Sequence, residues 1–180
     1  AVATLNTLDG NTSGAVNAST ITTLTGGAAA MNTAYASNGI TNLGNEAITL
    51  DDTSLAVATL NTLDGNTSGA VNAGTITTLT GGAAAMNTAY ASNGITGLAN
   101  EAITLDDTSL AVATLNTLNG NTTGVVNAGT ITTLTGAAAA MNTAYTAAGN
   151  NEISNLGNEA ITLDDTSLAV ATLNTLDGNT

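Results

Sequence analysis

No lysine, arginine or histidine occurs among the 180 residues, and thirteen aspartates and glutamates set the formal net charge at −13. A typical soluble domain is roughly one-quarter charged, with both signs mixed; here 7% of residues are charged, all of one sign. Nothing on such a chain can displace the counterions of a phosphate backbone or of an anionic lipid surface. Nucleic acid and anionic membranes are therefore excluded as electrostatic partners. The usual proton shuttle, the Schiff-base amine and the arginine clamp are missing as well. Carboxylates, hydroxyls and amides are the reactive side chains that remain, and the composition argues against an enzyme.

Cysteine is absent, which removes disulfides and thiolate metal sites. No apolar run approaches the roughly 20 residues of a membrane span, and no secretory signal is visible. One-signed charge and 2% aromatic content point toward disorder, but 43% hydrophobic residues, with Leu and Ile regularly spaced, point to a packed fold.

What the chain has is repetition. AVATLNTL opens at Ala1, Ala56, Ala111 and Ala169, so two repeats of equal length are followed by one that is three residues longer. Residues 1–55 and 56–110 differ only at Ser19/Gly74, Asn42/Gly97 and Gly44/Ala99. Self-similarity at this scale predicts one continuous repeat array over residues 1–180, with units 1–55, 56–110 and 111–168 and a partial unit 169–180. Because the first and last segments read as a helix without polar capping repeats, the array is expected to be a window cut from a longer chain.

Each unit consists of two similar halves. In copy two they are Thr75–Tyr90, TITTLTGGAAAMNTAY, and Ala102–Leu118, AITLDDTSLAVATLNTL. Both read as a short β-prone run, a polar break and an Ala/Leu segment. The anchors Leu5, Met31, Leu60, Met86, Leu115, Met141 and Leu173 recur at successive offsets of 26, 29, 26, 29, 26 and 32. A coil of about 27 residues holding one strand and one helix has the size of a leucine-rich repeat. The expected fold is therefore an α/β solenoid of strand–helix coils with parallel strands; the alternative is an all-β parallel solenoid. Ala-rich GGAAAMNTAY argues against the latter, since alanine is a poor strand former.

In the Leu-type segment, Asp52, Thr53 and Ser54 are candidate N-caps, Leu55, Ala56, Leu60 and Leu63 share a face, and Gly65 takes the place of a C′ glycine. In the Met-type segment Thr80 is the candidate cap, with Ala83, Met86 and Tyr90 on one face. Strands are expected at Thr20–Leu24 and Ala47–Leu50 and their copies. The insertion in copy three, between Tyr145 and Leu156, adds three residues including Glu152 and belongs in a surface loop.

Two acidic motifs carry chemistry. Asp64, Asn66 and Ser68, with Asp9, Asn11 and Ser13 in copy one, place oxygen ligands at positions 1, 3 and 5 of a loop with glycine at position 6, the spacing of an EF-hand-like calcium site. Position 12 is Thr75 rather than a closing acid, and copy three has Asn119 at position 1, so one charge per loop limits calcium to millimolar affinity. The competing reading is a helix stop followed by a glycine-rich turn. The pairs Asp51–Asp52, Asp106–Asp107 and Asp164–Asp165 precede each Leu-type helix, where negative charge is worth about 0.3–1 kcal/mol; adjacent, repeated acids suit capping better than glycoside chemistry. Asn11, Asn17, Asn66 and Asn121 begin sequons that composition alone would produce by chance.

LNTLDGNTSG, VNAGTITTLTG, NTAYASNGIT and NEAITLDDTSLA together resemble the tandem repeats of giant cell-surface proteins of marine cyanobacteria, the SwmB type. The resemblance covers the whole chain and implies an extracellular or cell-surface polypeptide with a structural role. It brings no catalytic or binding residues. The expected function is a structural segment of a scaffold, fibre or filament, with no cofactor; the alternative is a calcium-dependent adhesion module. Expected partners are further copies of itself, by lateral or end-to-end assembly, together with divalent cations or glycans.

Overall fold

The computed structural model describes residues 1–180 and is α/β, with seven helices alternating with short parallel strands. Two compact units are present: Ala1–Thr77 with Thr88–Leu98, and Thr78–Asn87 with Ala99–Thr180. The all-β alternative is excluded by the helices.

The first unit contains α1 (Val2–Gly10), β1 (Val16–Asn17), β2 (Thr23–Gly26), α2 (Ala28–Ala36), β3 (Ile40–Thr41), β4 (Ala47–Leu50), β5 (Ser54–Ala56), α3 (Val57–Asn66), β6 (Val71–Asn72) and β8 (Ile95–Thr96). β2, β4, β6 and β8 form one parallel sheet and β1 pairs with β3. The second unit contains β7 (Thr78–Gly81), β9 (Ala102–Leu105), β10 (Ser109–Ala111), α5 (Val112–Asn121), β11 (Val126–Asn127), β12 (Thr133–Gly136), α6 (Ala138–Gly149), β13 (Ile153–Ser154), β14 (Ala160–Leu163) and α7 (Val170–Asp177). There β7, β9, β11 and β13 lie side by side, as do β10, β12 and β14. Between β7 and β9 the chain forms α4 (Ala83–Ala91) and then β8.

The strands obey period two. In β4, Ile48 and Leu50 are buried while Ala47 and Thr49 face water. The expected run Thr20–Leu24 becomes a strand only at Thr23, because the Ile21 amide donates to the Ala18 carbonyl at 2.9 Å and closes a turn first. In copy two the same turn buries Ile76 at 2% exposure ahead of Leu79 at 0%. That is how two apolar residues three apart both reach the core.

The helices bury their i, i+3 and i+6 positions: Val57, Leu60 and Leu63 in α3, and Ala28, Met31 and Ala34 in α2. Leu55 and Ala56, expected on the helix face, lie instead in β5; strand pairing claims them before the helix begins. Gly65 lies inside the last turn of α3, which runs on to Asn66 and ends at Thr67 in extended conformation, so the C′ role expected for this glycine does not arise. Threonine is tolerated because its hydroxyl turns back onto the helix: Thr7 donates to Ala3, Thr33 to Ala29 and Thr62 to Ala58, at 2.8–3.0 Å.

Strand pairing sets a shorter step than the helix anchors imply. Thr23 lies opposite Ala47, Val71 opposite Ile95 and Ser109 opposite Thr133, a numbering offset of 24 in every pair. The helix anchors keep their alternating offsets of 26 and 29 because helix and loop lengths differ between the half-repeats. The three-residue insertion widens one strand offset by the same amount, from Thr133 to Ala160. It does not form a loop: α6 is twelve residues long against nine in α2, burying Ala147 before the chain surfaces at Asn150 and Asn151.

Asparagines tie helix to helix. Asn6 of α1 donates its side-chain amide to the Ala30 carbonyl of α2 at 2.9 Å, and Asn32 of α2 donates to Thr59 of α3 at 3.0 Å. The second unit repeats this: Asn87 to Thr114, Asn116 to Ala140 and Asn142 to Thr172, at 3.1, 2.9 and 3.2 Å. Asn66 and Asn121 in turn donate to the side-chain oxygens of Asn32 and Asn87. Each tie is directional, an amide on one helix reaching a mid-helix carbonyl on the next.

Candidate functional site

The acids of this chain are the groups with chemical potential, and the structure assigns each recurrent type a position. Asp52 does not cap the helix that follows it. α3 begins at Val57 with Ala56 as N-cap and no side-chain cap. The Asp52 carboxylate instead accepts the Ala28 amide, the first helical residue of α2, at 2.7 Å from 24 residues downstream. Asp107 does the same for Ala83 and Asp165 for Ala138, each at 2.7 Å. The electrostatic argument for acids at a helix N-terminus holds, but the helix served lies in the neighbouring coil. Thr80, the expected cap of α4, is an outward residue of β7, and Asp107 fills that role.

The calcium-loop candidates separate in the same way. Ser92 donates to Asp64 at 2.7 Å, Asn66 donates to Asn32 at 3.0 Å, and Ser68 donates to the Gly44 carbonyl at 3.2 Å. In copy one Ser37 donates to Asp9 at 2.7 Å, while Asn11 uses its backbone amide on Thr7 and Leu8; Ser13 lies exposed in the turn beyond. Partners on three different segments hold Asp64, Asn66 and Ser68, and no group of three or more acids converges anywhere in the chain.

Three glutamates that sequence reasoning passed over are the most buried charged groups: Glu46 and Glu101 at 0% exposure and Glu159 at 6%. Glu46 Oε2 accepts the Tyr35 hydroxyl at 2.8 Å and the Gly44 amide at 2.9 Å, while Oε1 has no partner. Glu159 Oε2 accepts the Tyr145 hydroxyl at 3.2 Å and the Gly157 amide at 2.9 Å. Glu101 accepts the Ala99 amide at 3.0 Å. The backbone around Glu46 and Glu101 is latched. Thr67 donates its hydroxyl to the Glu46 carbonyl at 3.1 Å and accepts the Gly69 amide at 3.0 Å; Thr122 and Gly124 do the same at Glu101. A Cβ on Gly69 would run into the Glu46 carbonyl, so glycine is required by contact rather than by dihedral angle.

Burial pushes the Tyr35 hydroxyl up to about 12; the bond to Glu46 and its charge act in the same direction, against a lowering bond from Thr67. Tyr145 is likewise raised to about 12 by burial, then by the charge and hydrogen bond of Glu159. Both phenols therefore stay protonated donors at neutral pH. The sequence signal was present: Tyr35 and Glu46 stand 11 residues apart, and Tyr145 and Glu159 stay paired although the insertion stretches the spacing to 14.

An open groove of about 800 Å³ is lined by Thr104, Asn127, Gly129, Thr130, Asn155 and Gly157 among others. Its Asn155 donates to Asn127 at 2.9 Å, and Asn155 itself holds φ 59°. Amides and hydroxyls line this groove, with no nucleophile–base pair among them. No helix of the chain is long and apolar enough to cross a membrane. No protein-family model, curated protein or solved structure matches the chain.

Proposed function

We propose that the chain is a segment of a leucine-rich-repeat-like α/β solenoid acting as a structural scaffold, outside the cell or on its surface, without catalysis of its own. The observation that carries this reading is the use made of its carboxylates. The second aspartate of each repeated pair, with Asp9, Asp64 and the buried glutamates, holds a backbone amide or hydroxyl, in most cases one contributed from a neighbouring coil. Repetition of one fixed strand offset supports a stack that adds length per copy. The resemblance to cyanobacterial cell-surface repeats points to the same location, and a surface free of Lys and Arg gives trypsin-like proteases nothing to cut.

Small-angle scattering of chains with increasing repeat number tests the reading. The longest dimension should grow linearly at constant cross-section. A radius of gyration following compact-globule scaling would overturn it.

A further inference from the structure

We propose that α7 of one copy of this chain docks on α2 of a second copy, in the seat which that copy's own α1 occupies. This deepens the scaffold reading and rests on it.

Residues 1–12 and 169–180 have the same sequence, AVATLNTLDGNT. Each forms a helix with one face covered, and the covered faces differ. α1 rests on α2 through the Asn6–Ala30 bond, burying Val2 and Leu5 at 1% and 8% exposure and leaving Leu8 at 53%. α7 rests on α6 through the Asn142–Thr172 bond, burying Leu176 at 4% and leaving Val170 at 72% and Leu173 at 46%. What α1 buries is what α7 exposes, and the reverse. In α5 the three equivalents Val112, Leu115 and Leu118 are all at 1% or less, held on one side by Asn87 to Thr114 and on the other by Asn116 to Ala140. α1 and α7 thus divide between them the neighbours that one internal helix has.

Seating α7 on α2 of a second copy completes the set. Val170 and Leu173 take the places of Val2 and Leu5, and Asn174, the counterpart of Asn6, reaches the Ala30 carbonyl. An identical helix remakes, residue for residue, the packing that the displaced α1 gives up, so the apolar exchange is even. Conformational entropy regained by the released segment favours exchange, and lost translational freedom opposes it. The association is weak and concentration-dependent. Its geometry is head-to-tail and heterologous, so it propagates into open rows rather than closing.

The chain has no native cysteine, which makes the test clean. One full-length chain carries Ala30→Cys and another Asn174→Cys; they are mixed at high concentration and treated with a short bismaleimide. The mixed crosslinked dimer should form several-fold above a control pair in which Ser13→Cys replaces Asn174→Cys. Leu173→Asp in the Asn174→Cys chain, or an excess of synthetic peptide 1–12, should return the yield to control. In parallel, sedimentation of the unmodified chain should show an average mass that rises with concentration and falls when the peptide is added. Control-level crosslinking by folded chains, or a mass fixed at the monomer, overturns the proposal. Scattering from the same dilute samples separates the two ideas: extended monomers that do not crosslink sink only the docking, whereas compact ones sink the scaffold reading.

Discussion

Asn119 donates its side-chain amide to Glu152 Oε2 at 3.1 Å, at the position where the preceding copy has Asp64 accepting the hydroxyl of Ser92 at 2.7 Å. Acceptor has become donor on one side and donor has become acceptor on the other. Copy three lost its aspartate and gained its insertion glutamate together, and the hydrogen bond kept its place with reversed polarity.

Asn119→Asp should therefore destabilise the chain. It sets two carboxylates against each other in a protein with no basic side chain to separate them. A loss of about 1 kcal/mol is expected, moderated by solvent at this exposed pair. Thermal melts at neutral pH should show the loss, and Glu152→Gln in the same chain should recover most of it. Additive effects of the two substitutions would refute the coupling.

Asp52→Ala should cost about 1 kcal/mol, the usual worth of an N-cap. The location matters more than the size. Amide exchange should accelerate at Ala28, the start of α2, and not at Val57, the start of the helix that follows Asp52 in sequence.

Glu46→Ala strips the acceptor from both the Tyr35 hydroxyl and the Gly44 amide, at an expected cost of about 2–3 kcal/mol for buried donors left unpaired. Glu46→Gln keeps an oxygen for them and removes a buried charge, so its loss should be smaller. Chemical denaturation of the two variants gives the comparison. Equal losses would mean that the charge, not the acceptor, is what the site requires.

Tyr35 and Tyr145 fix the alkaline limit. Their hydroxyls titrate near 12 in the folded chain against 10 for an ordinary tyrosine, so the folded state binds more protons between those values. Their contribution is fully present below pH 10 and is lost as pH rises toward 12. Melting temperature should fall across that window, and phenolate absorbance should keep rising toward its end. Tyr35→Phe and Tyr145→Phe should each remove part of that late absorbance and flatten part of the fall.

Much of the architecture could be read from the chain. Leu60 and Met86 mark helices because apolar residues recur at helical spacing, and Ala47–Leu50 alternates as a strand should. The functions of single polar residues could not be read, because their partners lie a whole coil away. Asp52 precedes one helix and caps another; Thr80 sits beside a helix start and turns outward from a strand. Glu46 stands in the polar run Gly44–Asn45–Glu46, where composition predicts exposure, yet Tyr35 and the Thr67 latch enclose it. Asn6, Asn32 and Asn116 have the propensity of weak helix formers and serve as the ties between helices. Helix anchors overstate the coil length because the strands keep a step of their own.

Two strand steps fall seven residues short of one sequence repeat. That shortfall is the distance from the first residue of β4 to the first residue of β5, a stretch that contains Asp51 and Asp52. Each copy therefore shifts its partner strand sideways once, and the segment that performs the shift also carries the carboxylate clasping the adjacent helix. Trimming those seven residues to bring sequence and ladder into phase would unfasten α2 in the same stroke. Phase slip and clasp are inherited as one part.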